Sequence, residues 1–388
     1  MIIERIELNH FRNYEQLRLF PHEGVNILFG KNGVGKTNLL EAIHYCSLGK
    51  SHRINQDQNA VMADQPGASC HLWIRHPLNR HEIEIRLRPD EENIKSIWLD
   101  QKKAARLSEL MGILRCVIFS PEDLELIRGG PSARRRFMDM MISQVSRPYF
   151  IALQQYRIAL NQRNAILKQA RLEGRGPNPM IEDFERAMAD HGKVICGERI
   201  RFTGLLSELG QKIYAGISGR EEEVFSLSYH MSVKGDPEDP FPMIRLLRES
   251  REEDLRQGNT TVGPQRDDLN LTLNRRNMKL YASQGQVRTA ALSLKLGQLF
   301  VIHQVTGDYP VLLLDDVMSE LDLDRRMNLL NMIEGVQTFI TCSDEGDLDA
   351  CQHHRTYQVD SPGGFARLTL IKQGPETEKP VLKEPDFQ

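Results

Sequence analysis

The sequence predicts an α/β protein with a mixed-sheet lobe and a mostly helical second lobe, and three observations predict it. An apolar run, Val25 to Phe29, passes through a glycine-rich loop into the apolar-striped segment Lys36 to Leu48. Alternating apolar and polar stretches recur through the first hundred positions. From about Pro131 the period lengthens from two to between three and four. At 388 residues, 40% hydrophobic and 27% charged, the chain has the length for two or three globular domains and the composition to bury their cores.

Taken in order, Ile3, Ile6 and Leu8 open a first strand, and a turn at Pro21 to Gly24 leads into Val25 to Phe29. After the helix Lys36 to Leu48, strands are expected at Cys70 to Arg75, Glu82 to Leu87 and Ile94 to Leu99. The breaks at Pro77 to Arg80 and Pro89 to Asn93 suit hairpin loops. Tyr149, Leu153, Tyr156, Leu160 and Leu167 then recur at helical spacing. Phe184, Met188, Ile195, Phe202, Leu209 and Ile213 do so again after a Gly/Pro break at Gly174 to Pro179, which predicts two long antiparallel helices. Strands return at Val224 to Met231 and Leu269 to Leu273. A helix follows from about Gln286, then a strand at Val311 to Leu314, a helix near Asp324 to Ile333 and a strand at Gln337 to Thr341. The Pro-, Glu- and Lys-rich stretch after Gln373 reads as a flexible tail, 373–388.

Composition excludes several classes. The chain opens directly into alternating sequence with no basic leader, and no uncharged apolar run approaches the roughly 18 residues of a membrane span, so a cytoplasmic protein without a membrane partner is expected. Cys46, Cys70, Cys116, Cys196, Cys342 and Cys351 show no paired spacing, which predicts buried free thiols rather than a disulfide framework or zinc cluster. Net charge is −3, yet the segment Arg128 to Ile213 carries 15 Lys and Arg against 8 Asp and Glu, so a cationic module sits within an acidic remainder.

The chemistry starts at the loop. Gly30, Lys31, Asn32, Gly33, Val34, Gly35, Lys36 and Thr37 match GxxxxGK[ST], between an apolar strand and a helix as that pattern requires. The glycines permit a tight loop with inward N–H groups, and the new helix offers its unpaired donors and positive dipole end to phosphate oxygens. Lys36 is expected to span the β and γ phosphates of ATP, and Thr37 to place its hydroxyl on Mg²⁺. The run Val311 to Leu314 ends in Asp315 and Asp316, adjacent acids that repel unless a metal or a water chain uses them. Asp315 is assigned to Mg²⁺, through water, and Asp316 to polarising the attacking water.

P-loop kinases, GTPases, helicases and ABC proteins share those two pieces, and a third feature separates them. Ala282-Ser283-Gln284-Gly285-Gln286 stands just before a long helix and ahead of the acidic strand. Ser283, Gly285 and Gln286 at a helix N-terminus form an anion-donor set suited to a γ-phosphate, although a plain capped surface helix explains the pentapeptide equally well when taken alone. The pentapeptide resembles the ABC signature LSGGQ with Gln284 in place of its first glycine, and Ser319 to Asp322 falls where that family has its D-loop.

With Phe11 to Tyr14, Ser120 to Leu124, Arg134 to Phe137, Gln162 to Asn164 and Thr261 to Asp268, these motifs resemble the RecF family from about residue 1 to 343. That resemblance implies an ABC-type, SMC-like P-loop ATPase head with ATP-dependent head-to-tail closure of two chains. It also implies action at gapped or junction DNA with RecR and RecO, helping RecA to load. The expected division is 1–127 with 260–372 as the ATPase lobe and 128–259 as a basic, helical DNA-binding lobe. Departures from the wider ABC pattern are Asp316 in place of a catalytic Glu, and Thr341, Cys342 and Ser343 near the usual switch histidine, both of which predict slow turnover. No glutamine is placed as the Q-loop residue; Ser120 to Asp123 fall in that region. Arg12 reads either as a phosphate contact, as in SMC-like heads, or as an exposed strand-end arginine.

Arg134, Arg135, Arg136, Arg157 and Arg163, with Lys168, Arg171, Arg199 and Arg201, are the candidates for duplex DNA, supplying cations for salt-dependent, mainly sequence-independent binding. Each alone reads equally as part of a solvated helical face. Against an ATP-gated DNA clamp stand a P-loop phosphotransferase acting on a small molecule and an SMC-like scaffold that binds ATP without productive hydrolysis.

Overall fold

The computed structural model describes residues 1–174, 176–232, 242–343 and 354–373. The expected tail lies outside the described residues, apart from its first position. By internal contacts the chain divides into two units, one of 1–123, 212–221 and 291–388, the other of 124–211 and 222–290.

The first unit holds two six-stranded sheets. One is antiparallel, in the order Tyr14–Leu19, Ile2–Phe11, Ala68–Arg75, Arg80–Leu87, Lys95–Leu99 and Lys102–Lys103. Its central strand Ala68–Arg75 alternates strictly between buried and half-buried residues, as a sheet covered on one face requires. The other runs Arg367–Gln373, His354–Asp360, Val25–Phe29, Thr338–Cys342, Val311–Asp315 and Cys116–Phe119, parallel throughout except for the first-named edge strand. Val311–Asp315 and Thr338–Cys342 are buried at every position, which is why Val311 to Leu314 reads as an unbroken apolar run.

Helix Lys36–Leu48 packs against strands of both sheets, and Leu39, Leu40 and Ile43 share one core with Leu72, Ile83, Leu313 and Phe339. This double cover accounts for a helix buried on nearly all sides. Gly49, at φ 64°, ends it in the left-handed region, where glycine is tolerated without a side-chain clash.

The second unit contains helices Pro131–Ser143 and Arg147–Glu173, most of Ile181–Ser218, and a three-stranded sheet ordered Arg276–Asn277, Asp268–Leu273, Phe225–His230. Ser146 caps Arg147–Glu173 by accepting from the Tyr149 N–H, Pro148 sits in its first turn, and Gly174 closes it. The two long helices are thus the expected pair. The boundary expected at residue 260 differs from this division. Asp268–Leu273 pairs with Phe225–His230, Leu271 opposite Leu227, and packs on Pro131–Ser143, which draws 260–290 into the second unit.

Candidate nucleotide site and basic cluster

Strand Val25–Phe29 delivers the glycine loop at the carboxyl edge of the parallel sheet, and helix Lys36–Leu48 leaves from it. Gly35 at φ 119° is the residue before the helix, and no side chain caps that helix start. A Cβ at Gly35 would lie 2.7 Å from the Asn13 side-chain oxygen and 2.9 Å from the Ala366 methyl, so both conformation and space demand glycine. The turn between the first two strands braces the loop. Asn13 Nδ2 donates to Val34 O at 3.0 Å, the Tyr14 hydroxyl to Gly35 O at 3.1 Å, and Asn38 Nδ2 to Asn13 Oδ1 at 2.8 Å. In the sequence Asn13 and Tyr14 carry the family resemblance without a sign of this bracing role.

Lys36 is buried and its ammonium donates to Gly30 O and, at 3.0 Å, to Lys31 O, both carbonyls of the loop. Burial pulls its pKa below the usual lysine value, opposed by the negative charges of Asp316 and Asp315. Thr37 Oγ1 donates to Asp315 Oδ1 at 2.9 Å. Asp315 Oδ1 also accepts from Thr341 Oγ1 at 2.8 Å, and the Asp316 N–H donates to that same threonine oxygen at 2.8 Å. Asp316 has φ 53°, rare for a residue other than glycine, asparagine or aspartate, and its carbonyl accepts from the Ser319 hydroxyl at 2.9 Å. Ser343 Oγ donates to Asn32 Oδ1 at 2.9 Å, joining the strand beyond Thr341 to the loop.

Lys36, Thr37, Asp315 and Asp316 therefore converge in the first unit, while Ser283, Gly285 and Gln286 belong to the second. Among the described residues no cluster of three or more His, Cys, Asp or Glu forms a cation cage. One hydroxyl and one carboxylate nevertheless match the sparse oxygen ligation of Mg²⁺, which takes its remaining oxygens from water and nucleotide phosphates. Ser283 and Gln286 form a capping box: the Gln286 N–H donates to Ser283 Oγ at 3.3 Å and the Ser283 N–H to Gln286 Oε1 at 2.9 Å. Gln286 Nε2 then reaches Glu223 Oε1 at 2.9 Å, leaving Ser283 exposed at the helix start.

Arg12 is engaged by protein partners. Its guanidinium forks onto the buried Glu41 carboxylate at 2.9 and 3.0 Å and donates to Asn59 O at 2.8 Å. Glu41 also takes Arg53 and the Ser51 hydroxyl.

The basic cluster needs correction. Arg163 is 0% exposed, bonded to Glu185, Asp254, Thr260 and Leu247 O, and cannot touch DNA. Arg134 is likewise buried, forked onto Asp268 at 2.7 and 2.8 Å and donating to Leu126 O and Gly129 O. Arg199 is buried against Asp139, Tyr149 and Pro264 O, and Arg135 is half-buried, donating to Asp267 O. These arginines hold the second unit together. Arg136 is exposed, as is Arg157, which pairs with Asp139 at 3.2 Å. The hairpin turn Asn274-Arg275 carries no signal in the sequence pattern, yet both residues have positive φ and Arg275 and Arg276 are exposed.

Comparison with known proteins decides the family. The model described as RecF/RecN/SMC N terminal domain matches residues 2–362. A DNA replication and repair protein RecF of Clostridium acetobutylicum is 39% identical over 350 residues, covering 90% of this chain and 94% of that one. The chain belongs to the RecF family. A RecF of Alkaliphilus oremlandii is 40% identical over 346 residues, covering 88% and 93% of the two chains. The solved recombination mediator protein RecF-ATP in the RecFOR pathway superposes with TM-score 0.85 at 34% identity, covering 95% of this chain and 97% of that one. An Smc head domain from Pyrococcus furiosus shares the fold at TM-score 0.57 and 17% identity, over 95% and 96% of the chains. The RecF family fold is that of the SMC-like, ABC-type head. No helix among the described residues is long and apolar enough to cross a membrane.

Proposed function

We propose that this chain binds ATP and Mg²⁺ at the Gly30–Thr37 loop, closes head to tail with a second copy on gapped or junction DNA, and reopens on hydrolysis. The observation that carries this reading is the Thr37 to Asp315 hydrogen bond, which joins the start of the loop helix to the end of the acidic strand. The relative solved with ATP, alike over nearly the whole chain, supports the choice of nucleotide. Mg²⁺ beside Thr37 and Asp315 supplies positive charge to the phosphates.

The chain's own residues do the rest. Lys36 exchanges its two loop carbonyls for phosphate oxygens, to which its buried ammonium is the stronger partner. Asp316 accepts the proton of the attacking water. The exposed Ser283, at a capped helix start, meets the nucleotide of the other copy. Exposed Arg136, Arg157, Arg275 and Arg276 offer cations to the DNA backbone. The RecFOR pathway named for the relative supports a role with RecR and RecO, extended here to assisting RecA loading.

The short Asp316 side chain, without a histidine at Thr341 to Ser343, also supports a second reading, an ATP-binding scaffold without productive hydrolysis. One experiment separates them: ATPase rate against protein concentration, with and without gapped duplex. The clamp requires a rate per chain that rises with concentration and with DNA. A rate at background under every condition leaves the scaffold, and failure to bind ATP removes both.

A further inference from the structure

Thr341 is 1% exposed, and its single hydroxyl serves both acids at the end of the neighbouring strand. Strands Val311–Asp315 and Thr338–Cys342 run parallel with Asp315 in register with Thr341. The hydroxyl donates to Asp315 Oδ1 and accepts from the Asp316 N–H, each at 2.8 Å. A hydroxyl has one proton to give and lone pairs to receive with, so both bonds form at once. Asp315 Oδ1 is thereby fixed between two donors, Thr37 and Thr341. Asp316 is held at both ends of its residue, N–H by Thr341 and C=O by the Ser319 hydroxyl, in the left-handed conformation that aspartate tolerates better than most residues.

The geometry points to Thr341 as a positioning residue for hydrolysis: it orients the Asp315 carboxylate toward Thr37 and locks the backbone turn that presents Asp316. The inference rests on the nucleotide site proposed above. It assigns no proton transfer to Thr341, whose own proton is engaged by Asp315. It gives the position a task other than that of the absent switch histidine, namely setting where two carboxylates stand before nucleotide arrives.

Two substitutions separate this from a packing role. Thr341→Val keeps the shape and the β-branch but deletes the hydroxyl, whereas Thr341→Ser keeps the hydroxyl and deletes the methyl. In nucleotide-free protein, hydrogen exchange at the Asp316 amide should be protected in the parent and in Thr341→Ser and should quicken in Thr341→Val. With ATP and Mg²⁺, Thr341→Val should lose roughly tenfold or more in kcat with KM changed by less than about threefold, as expected for a buried amide and carboxylate deprived of one partner. Thr341→Ser should stay close to the parent. Parent-like exchange and kcat in Thr341→Val overturn the inference, and so do equal losses in the two variants, which mark a packing effect. Lys36→Ala measured alongside isolates the nucleotide reading. If it binds ATP as the parent does, that reading fails, while the exchange data still report on Thr341.

Discussion

Thr37 and Asp315 stand 278 positions apart in the chain and 2.9 Å apart in the structure, hydroxyl to carboxylate. The contact is possible because Val25–Phe29 and Val311–Asp315 flank the same strand, Thr338–Cys342, and all three run parallel, so their carboxyl ends open at one edge. Asp315→Asn keeps the size and one acceptor oxygen but removes the charge. Nucleotide affinity measured in EDTA should hardly change, while the gain that Mg²⁺ brings should fall by on the order of 10-fold to 100-fold, the usual effect of losing an outer-shell partner of a metal. An unchanged Mg²⁺ gain would take Asp315 out of the cation site.

Arg163 carries an opposite expectation from the one its sequence suggests. It is fully buried with two carboxylates, Glu185 at 3.1 Å and Asp254 at 2.7 Å. Arg163→Met should cost about 3–5 kcal/mol in denaturant unfolding, because the acids lose their counter-charge in a dry site. DNA affinity of the protein still folded, measured at low temperature, should stay within about twofold. A stable variant with weakened DNA binding would reinstate the discarded assignment.

The exposed hairpin turn offers two cations to the proposed DNA surface. Arg275 sits at φ 64°, where turn chemistry favours glycine, and Arg276 follows it at the surface. Converting both to Glu should weaken duplex binding and reduce the slope of log K against log salt by up to about 1.8, near 0.9 per lost phosphate contact. ATP affinity without DNA should not move. Equal salt slopes in variant and parent would show that these arginines are solvated.

His52 gives a pH dependence unrelated to catalysis. Burial depresses its pKa from 6.5 to about 4, with Arg53 and Lys295 adding to the effect and Glu41 and Asp123 opposing it. The unfolded chain therefore binds a proton between these values that the folded chain refuses, and stability falls as pH drops from 6.5 toward 4. The loss amounts to at most about 3 kcal/mol at 1.36 kcal/mol per unit. His52→Gln should flatten the thermal-midpoint curve over that window; an unaltered curve would assign the titration elsewhere.

What was legible in the sequence follows from how local its cause is. The helix Lys36–Leu48 matches its expected bounds because loop glycines and a C-terminal glycine punctuate it. The buried strand Val311–Asp315 was legible as an apolar run and Thr338–Cys342 as a strand expected at Gln337 to Thr341, whereas Cys116–Phe119, four residues long, offers too little pattern to stand out. The bracing of the loop by Asn13 and Tyr14 depends on a turn 21 positions away folding over it. Exposed and buried arginines are identical in sequence. Arg163 and Arg157 lie six positions apart on one helix, and only their acid partners, brought in by other elements, tell structural cation from surface cation.

The head-to-tail proposal makes the most demanding prediction. Lys36 and Ser283 belong to different units of the chain, and under this proposal each nucleotide would take Lys36 from one copy and Ser283 from the other. Two such sites form across a two-fold axis. Lys36→Arg puts a planar, branched cation where a compact ammonium is required, and Ser283→Arg fills the opposite wall; a homodimer of either has two defective sites. A mixed dimer gathers both lesions into one site and leaves the other with intact Lys36 and intact Ser283. Mixing two nearly inactive proteins should therefore restore ATPase activity, up to about one quarter of the parental rate if subunits pair at random and sites fire independently. Cross-linking in ATP establishes that heterodimers have formed. If they form and the mixture stays inactive, the parent's own concentration dependence decides the cause. A rate per chain that collapses on dilution, as mass action requires of a composite site, means that the two sites fire only together. A rate per chain that persists where ultracentrifugation finds only monomer means that Ser283 completes no site in another copy.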